Sequence, residues 1–232
     1  METPRKKIHR FFLDFDASAR SLVVADPDLV HQWTKVLRFA PGEVIQLFSN
    51  GLEIEGTIVK MFDGKIELKL GTAHQALAEP SRKLTAYVSM FRKEPFEWLL
   101  EKLTEVGVSV IVPIESARTI RFPWRPDRFK SILKESAEQS GRGVVPSLEE
   151  LMKFSEVIAR AKNDHIYLFE IGGVKIKKPT ASAVSFLIGP EGGWSSQEIE
   201  SAKSAGIHVV GLGNQILRAE TAALLAAYEL LQ

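Results

Sequence analysis

The chain has no cysteine. That excludes a disulfide framework and any thiolate metal site. Its histidines, at 9, 31, 74, 165 and 208, show no paired ligand spacing, so no structural metal is expected. No apolar run approaches the roughly 18 residues that crossing a bilayer requires. The charged N-terminus does not lead into a signal-peptide core. The expectation is a cytoplasmic protein with no membrane partner. Net charge is almost absent, +1 over 232 residues, which excludes a uniformly basic nucleic-acid coat but allows a local basic patch. Neither Gly-Lys-Ser/Thr nor G-x-G-x-x-G occurs at the glycine-bearing turns, so neither nucleotide-phosphate loop is indicated. The rest of the composition is ordinary for a core-bearing protein: 45% hydrophobic and 25% charged residues, enough for one large or two small domains.

The N-terminal ten residues carry Arg5, Lys6, Lys7, His9 and Arg10, readable as a solvated tail or as a phosphate-contacting arm. Phe11, Phe12 and Leu13 come next and would anchor the segment on a core. Asp26-Pro27 reads as a helix cap with proline at the first position. Leu29, Val30, Trp33, Val36 and Leu37 continue at helical spacing, predicting a helix over 27–39 that ends at Arg38 before Pro41-Gly42. From 43 to 70 the pattern changes to short alternating strands broken by Asn50-Gly51 and Asp63-Gly64, the signature of a small barrel or curled sheet. We assign 1–72 to this domain, 73–83 to a linker and 84–232 to a second domain.

In the second domain strands and helices alternate. Strands are predicted at 84–90, 108–114, 166–170, 184–188 and 207–212. Helices are predicted at 96–106, 127–140, 148–161, 195–205 and 219–231. Such alternation predicts a mostly parallel sheet covered on both faces. Two of its strand–turn–helix units carry glycine. One runs Leu187-Ile188-Gly189-Pro190-Glu191-Gly192-Gly193-Trp194-Ser195. The other runs Leu212-Gly213-Asn214-Gln215-Ile216-Leu217-Arg218. In open α/β sheets ligands bind beyond the carboxyl ends of strands, so two such turns predict one pocket with main chain exposed to the ligand. Ser195 and Glu198 form a capping box. Ile216 and Leu217 either plug the core or suit a flat ring. Arg218 is either a surface ion pair or a fixed guanidinium holding a base or phosphate. The cluster Glu138-Gln139-Ser140-Gly141-Arg142 is either a solvated helix end or a polar-ligand site.

Leu-Ile-Gly-Pro-Glu-Gly-Gly-Trp-Ser at 187–195, Leu-Gly-x-x-Ile-Leu-Arg-x-Glu-Thr-Ala at 212–222 and Glu-Gln-Ser-Gly-Arg at 138–142 together resemble the ribosomal RNA small subunit methyltransferase E family. Glu-Lys-Leu-Thr-Glu-Val-Gly-Val at 101–108 and Arg-Phe-Phe at 10–12 extend the likeness over nearly the whole chain. Gln215 stands where that family commonly has arginine, and Gln32 where a second histidine often comes after His31. The resemblance implies an α/β SPOUT methyltransferase domain with a C-terminal trefoil knot, preceded by a small PUA-like β-barrel. It implies a homodimer that methylates N3 of a uridine in 16S rRNA of the small ribosomal subunit, with S-adenosyl-L-methionine as cofactor. The residues expected to hold the cofactor are Ile188, Gly189, Pro190, Glu191, Gly192, Gly193, Leu212, Gly213, Ile216 and Leu217. Arg218 and, after it, Glu138 are the catalytic candidates. Arg10, Arg38 and Arg142 are the RNA-contact candidates. Ribose 2′-O-methylation by another SPOUT enzyme and non-catalytic RNA binding are the competing readings.

Overall fold

The computed structural model describes residues 8–77, 79–161 and 165–232. Arg5, Lys6 and Lys7 of the N-terminal basic segment lie outside them. The chain forms two compact units. The first comprises residues 1–79 and takes back 141–144; the second comprises 80–140 and 145–232. The division falls inside the stretch read as a linker.

The first unit is a six-stranded mixed sheet. Its strands are β1 (Arg10–Phe12), β2 (Ser21–Val24), β3 (Val44–Ser49), β4 (Leu52–Phe62), β5 (Lys65–Leu70) and the short β6 (His74–Gln75). The order is β1-β3-β4-β5-β2, with β6 on β4 and β1 parallel to β3. Asn50 and Asp63 turn the hairpins at positive φ beside Gly51 and Gly64, as tight hairpins require. Helix α1 (Pro27–His31) starts where the sequence places it: the Asp26 side chain accepts from the N–H groups of Asp28 and Leu29. The predicted 27–39 helix does not run through as α-helix. Residues Gln32–Val36 widen into a π-turn, which keeps Trp33 buried against Phe11.

The second unit is an all-parallel sheet in the order β10-β8-β7-β12-β11-β13, with the short β9 also on β8. Its strands are β7 (Lys83–Ser89), β8 (Val110–Glu115), β9 (Ser147–Leu148), β10 (Met152–Lys153), β11 (Ile166–Lys175), β12 (Ala183–Ile188) and β13 (His208–Gly211). The helices are α2 (Lys93–Val106), α3 (Pro126–Ser140), α4 (Phe154–Arg160), α5 (Ser196–Ser204) and α6 (Ala219–Leu231). Both sheet faces are buried because the long strands feed two cores. Tyr167, Phe169, Phe186 and Ile188 point into one with α2, α3 and α6. Ile166, Leu168 and Leu187 point into the other with α4 and α5. Gly107 ends α2 at φ 108°, the left-handed cap its position predicts.

The helix expected over 148–161 does not form as such. That stretch holds the short strands β9 and β10 and only then α4. Leu148 and Met152 are four apart, as on a helix face. They belong instead to two separate short edge strands that pair one after the other along the same side of β8, one packing on each core.

Two connections position the site. After β12 the chain turns at 189–195 into α5. After the edge strand β13, the chain comes back so that α6 packs on α2, β7 and β12 near the sheet's middle. The connector 212–218 thus ends beside the first turn.

Candidate functional site

A cavity of about 640 Å³ opens at the carboxyl ends of β12 and β13 and at residues 169–171 in the middle of β11. The first wall is the turn from Ile188 to Trp194; the second is the connector from Leu212 through Arg218 to Ala222. All the residues singled out for the cofactor, from Ile188 to Gly193 and from Leu212 to Leu217, line this one cavity, and Arg218 lines it too.

The three glycines of the first turn have different causes. Gly189 is bare because Trp194 covers it: a Cβ there would come within 3.1 Å of the indole. The Trp194 Nε1 then donates to the Phe169 carbonyl oxygen at 3.0 Å. Gly192 makes way for the Arg118 stem, whose Cδ would be 3.3 Å from its Cβ. Only Gly193 is demanded by backbone conformation, at φ 67°. Two of the three positions read as openings for a ligand are therefore filled by the protein's own side chains. The turn is stiffened, and it offers the cavity main chain and Glu191. Ser195 caps α5 as expected, with Glu198 completing the box.

The second wall is more open. Ile216 is 86% exposed and does not plug the core; Leu217 is half-buried. Arg218 is the N-cap residue of α6, yet its side chain makes no capping bond. It is exposed. Among the described residues its guanidinium has no hydrogen-bond or ion-pair partner.

Several lining residues were not anticipated. Arg92 and Pro95 come from the start of α2, Arg118 from the segment after β8, and Glu170 and Ile171 from β11. Arg92 Nε lies 3.7 Å from Glu191 Oε2 and is largely exposed, so that pair contributes little. Glu170 sits on a bulge: Phe169 and Val174 both lie opposite Val210, which throws residues 170–173 out of the ladder. Burial pushes the Glu170 carboxyl above its ordinary range, partly offset by the Ile171 N–H and the Arg118 charge. A bulge that re-aims side chains at a strand end is a recurring active-site device, but its only sequence signal was Gly172-Gly173.

Other candidates lie elsewhere. Glu138 is half-buried on α3 and does not line the cavity. Arg142 is 2% exposed. Its Nε and Nη2 donate to Glu79, both at 2.9 Å, and Glu79 also accepts from the N–H groups of Gly143 and Val144. That guanidinium is a structural tie, not a free phosphate contact. Arg10 is half-buried: it pairs with Glu53 at 2.8 Å, donates to the Arg142 carbonyl oxygen and lies over Phe48. Arg38 is exposed, at φ 56°. No group of three or more potential metal ligands occurs among the described residues. No helix among them is long and apolar enough to cross a membrane.

An all-parallel sheet with a returning C-terminal helix, and a ligand-sized cavity between two glycine-bearing connections, is the architecture of a SPOUT-type RNA methyltransferase domain. The family profile described as RNA methyltransferase domain matches residues 78–231. Ribosomal RNA small subunit methyltransferase E of Mesomycoplasma hyopneumoniae is 30% identical over 154 residues, covering 63% of this chain and 68% of that one. The Bacillus subtilis protein of the same name is 26% identical over 218 residues, covering 85% and 84%. The crystal structure of the Neisseria gonorrhoeae enzyme of that name, bound to S-adenosyl methionine, matches with a TM-score of 0.86 at 30% identity over 95% of each chain. The chain belongs to the ribosomal RNA small subunit methyltransferase E family.

Proposed function

We propose that this protein transfers a methyl group from S-adenosylmethionine to N3 of a uridine in 16S rRNA of the small ribosomal subunit. The observation that carries the reading is the convergence of both glycine-bearing walls and of Arg218 on one cavity in a chain of this family. The residues fit the cofactor. The volume is in the range of nucleoside-sized ligands. Leu212, Ile216 and Leu217 offer apolar surface to a flat ring, and Glu170, Glu191 and Glu220 offer negative charge to a cationic ligand.

Bound S-adenosylmethionine would supply a methyl group already activated on a sulfonium. The chain's task is then to position the reactants and to deal with the uridine. N3 carries a proton and becomes a competent nucleophile only as that proton leaves. Negative charge then develops on the ring, and a guanidinium fixed nearby stabilises it. Arg218 is the candidate for this role; its support is that it lines the cavity at the start of α6 and that, among the described residues, it makes no hydrogen bond or ion pair. The exposed Arg38 would contact RNA phosphate, a positioning contact without base specificity. Arg10, tied to Glu53, would contribute less. We place the reaction in the cytoplasm and the enzyme in a homodimer, in keeping with Leu225 and Tyr228 exposed on α6. The knot implied by the resemblance would be closed by the returning connector 212–218.

The test is methylation of small ribosomal subunits from a strain lacking the activity. 3-Methyluridine in the digested product, mapped to one position, supports the reading. A ribose-methylated nucleoside, or no product from protein that binds the cofactor, overturns it.

A further inference from the structure

Arg118 stands 74 residues from the turn it touches. Its Nη1 donates to the Gly192 carbonyl oxygen at 2.7 Å and to the Trp194 carbonyl oxygen at 3.3 Å. Its stem lies along Gly192, where any Cβ would crowd Cδ. The preceding residue is fastened to the same turn from another side. Ala117 N–H donates to Glu198 Oε1 at 2.8 Å, while Glu198 Oε2 accepts from Ser195 N–H at 2.8 Å and Ser195 Oγ at 2.9 Å. Glu198 is buried. The segment after β8 and the glycine turn are therefore latched twice, once by a guanidinium and once by a capping carboxylate.

The two latches differ in what they leave behind. Glu198 spends both oxygens on N–H and O–H donors. Arg118 bonds only to carbonyl oxygens, and among the described residues it forms no ion pair. Its charge is therefore not neutralised by a contact, and it acts on Glu170, which lines the same cavity.

We infer that Arg118 is a positioning residue for the cofactor site: it holds the Gly192–Trp194 turn in shape. This rests on the reading that the cavity holds S-adenosylmethionine. Arg118 also repels a cationic ligand, but it is exposed and that repulsion is screened by solvent and salt. Charge-assisted hydrogen bonds to two carbonyls at fixed geometry are the stronger effect. Loss of Arg118 frees the turn, and it removes a positive charge that draws the Glu170 titration down.

The experiment measures S-adenosylmethionine and S-adenosylhomocysteine binding by calorimetry from pH 5 to 8. It uses the full-length wild type, Arg118→Gln, Arg118→Lys and Glu170→Gln, each checked by thermal melting. Arg118→Gln is expected to weaken S-adenosylmethionine binding about tenfold at pH 7.5, with a modestly lowered melting temperature, from the loss of charge-assisted bonds. Its affinity is expected to fall off with acid at a higher pH than in wild type. Glu170→Gln removes that acid limb. The homocysteine product, neutral at sulfur, shows the turn effect with a smaller acid limb. Arg118→Lys, a point charge that reaches one carbonyl, restores the wild-type pH midpoint and part of the affinity. Binding by Arg118→Gln that superimposes on wild type at every pH overturns the inference. If that variant fails to fold, full wild-type affinity in Arg118→Lys overturns it instead. A wild-type protein that binds neither ligand removes the cavity reading itself, a result distinct from either.

Discussion

Gly173 and Gly211 meet backbone to backbone. A Cβ on Gly173 would lie 2.4 Å from the Val210 carbonyl carbon, and one on Gly211 would lie 2.8 Å from the Gly173 carbonyl oxygen. This contact is what lets β11 bulge at 170–173 and rejoin β13, which places Glu170 at the cavity and starts the second wall at Leu212. Gly173→Ala has no flexible neighbour to displace, only main chain. It is expected to lower stability by about 1–3 kcal/mol, the usual cost of overpacking, and to weaken S-adenosylmethionine binding. Urea unfolding with parallel calorimetry checks both. The same change at Gly172, which has open space but φ 74°, strains backbone without any clash and should leave the β11–β13 join intact.

Arg218→Ala separates binding from chemistry. Among the described residues the side chain makes no hydrogen bond or ion pair, so the melting temperature should not move. Cofactor affinity should stay within about twofold, because a single exposed guanidinium contributes little to a cationic ligand. The rate of subunit methylation under saturating cofactor should fall by about 100-fold or more, the usual effect of removing one donor aimed at developing negative charge. Single-turnover methylation reads the chemical step directly, and an unchanged rate there removes Arg218 from the mechanism.

Glu170 gives a pH dependence of stability with a definite sign. Its folded carboxyl binds a proton more tightly than the unfolded one. Between the ordinary glutamate value and the raised one, the folded state therefore holds more protons, and stability falls as pH rises through that window. Above it the penalty is constant. Glu170→Gln removes the penalty, so the variant should be slightly more stable than wild type at pH 7.5 and equal to it at pH 4. The denaturant midpoint at those two pH values measures this. The same variant binds a cationic cofactor less well, a stability cost that serves the site.

Both walls of the cavity were legible in the sequence because each is a continuous run: strand, glycine turn, helix. The capping box at Ser195 and Glu198 and the left-handed end at Gly107 were legible for the same reason. The features that could not be read were set by contacts between distant segments. Arg118 meets Gly192 across 74 residues, so nothing near position 118 marks it. Glu170 looked like the last residue of a strand that in fact bulges and continues. The glycine at 189 advertised space that Trp194 already fills. Leu148 and Met152 mimicked a helix because a spacing of four does not say which of two cores each residue enters.

Arg142 shows the same limit with the largest energetic consequence. In sequence it is a cation beside glycines at a helix end, which suits phosphate as well as anything else. In the structure it is 2% exposed and held by Glu79, 63 residues away. Glu79 also satisfies the N–H groups of Gly143 and Val144, so one carboxylate ties 141–144 into the first unit. Removing one partner of a buried pair leaves a desolvated charge, which costs about 3–5 kcal/mol. Glu79→Ala should therefore destabilise the protein by that amount. Glu79→Gln, which keeps an acceptor oxygen but not the charge, should cost less. A phosphate-contact role for Arg142 predicts the opposite: Glu79→Ala would free the guanidinium, leave the urea midpoint nearly unchanged and tighten RNA binding. Urea unfolding of the two Glu79 variants, with filter binding to small-subunit rRNA across salt concentrations, separates these outcomes, because a released phosphate contact steepens the salt dependence and a broken structural tie does not.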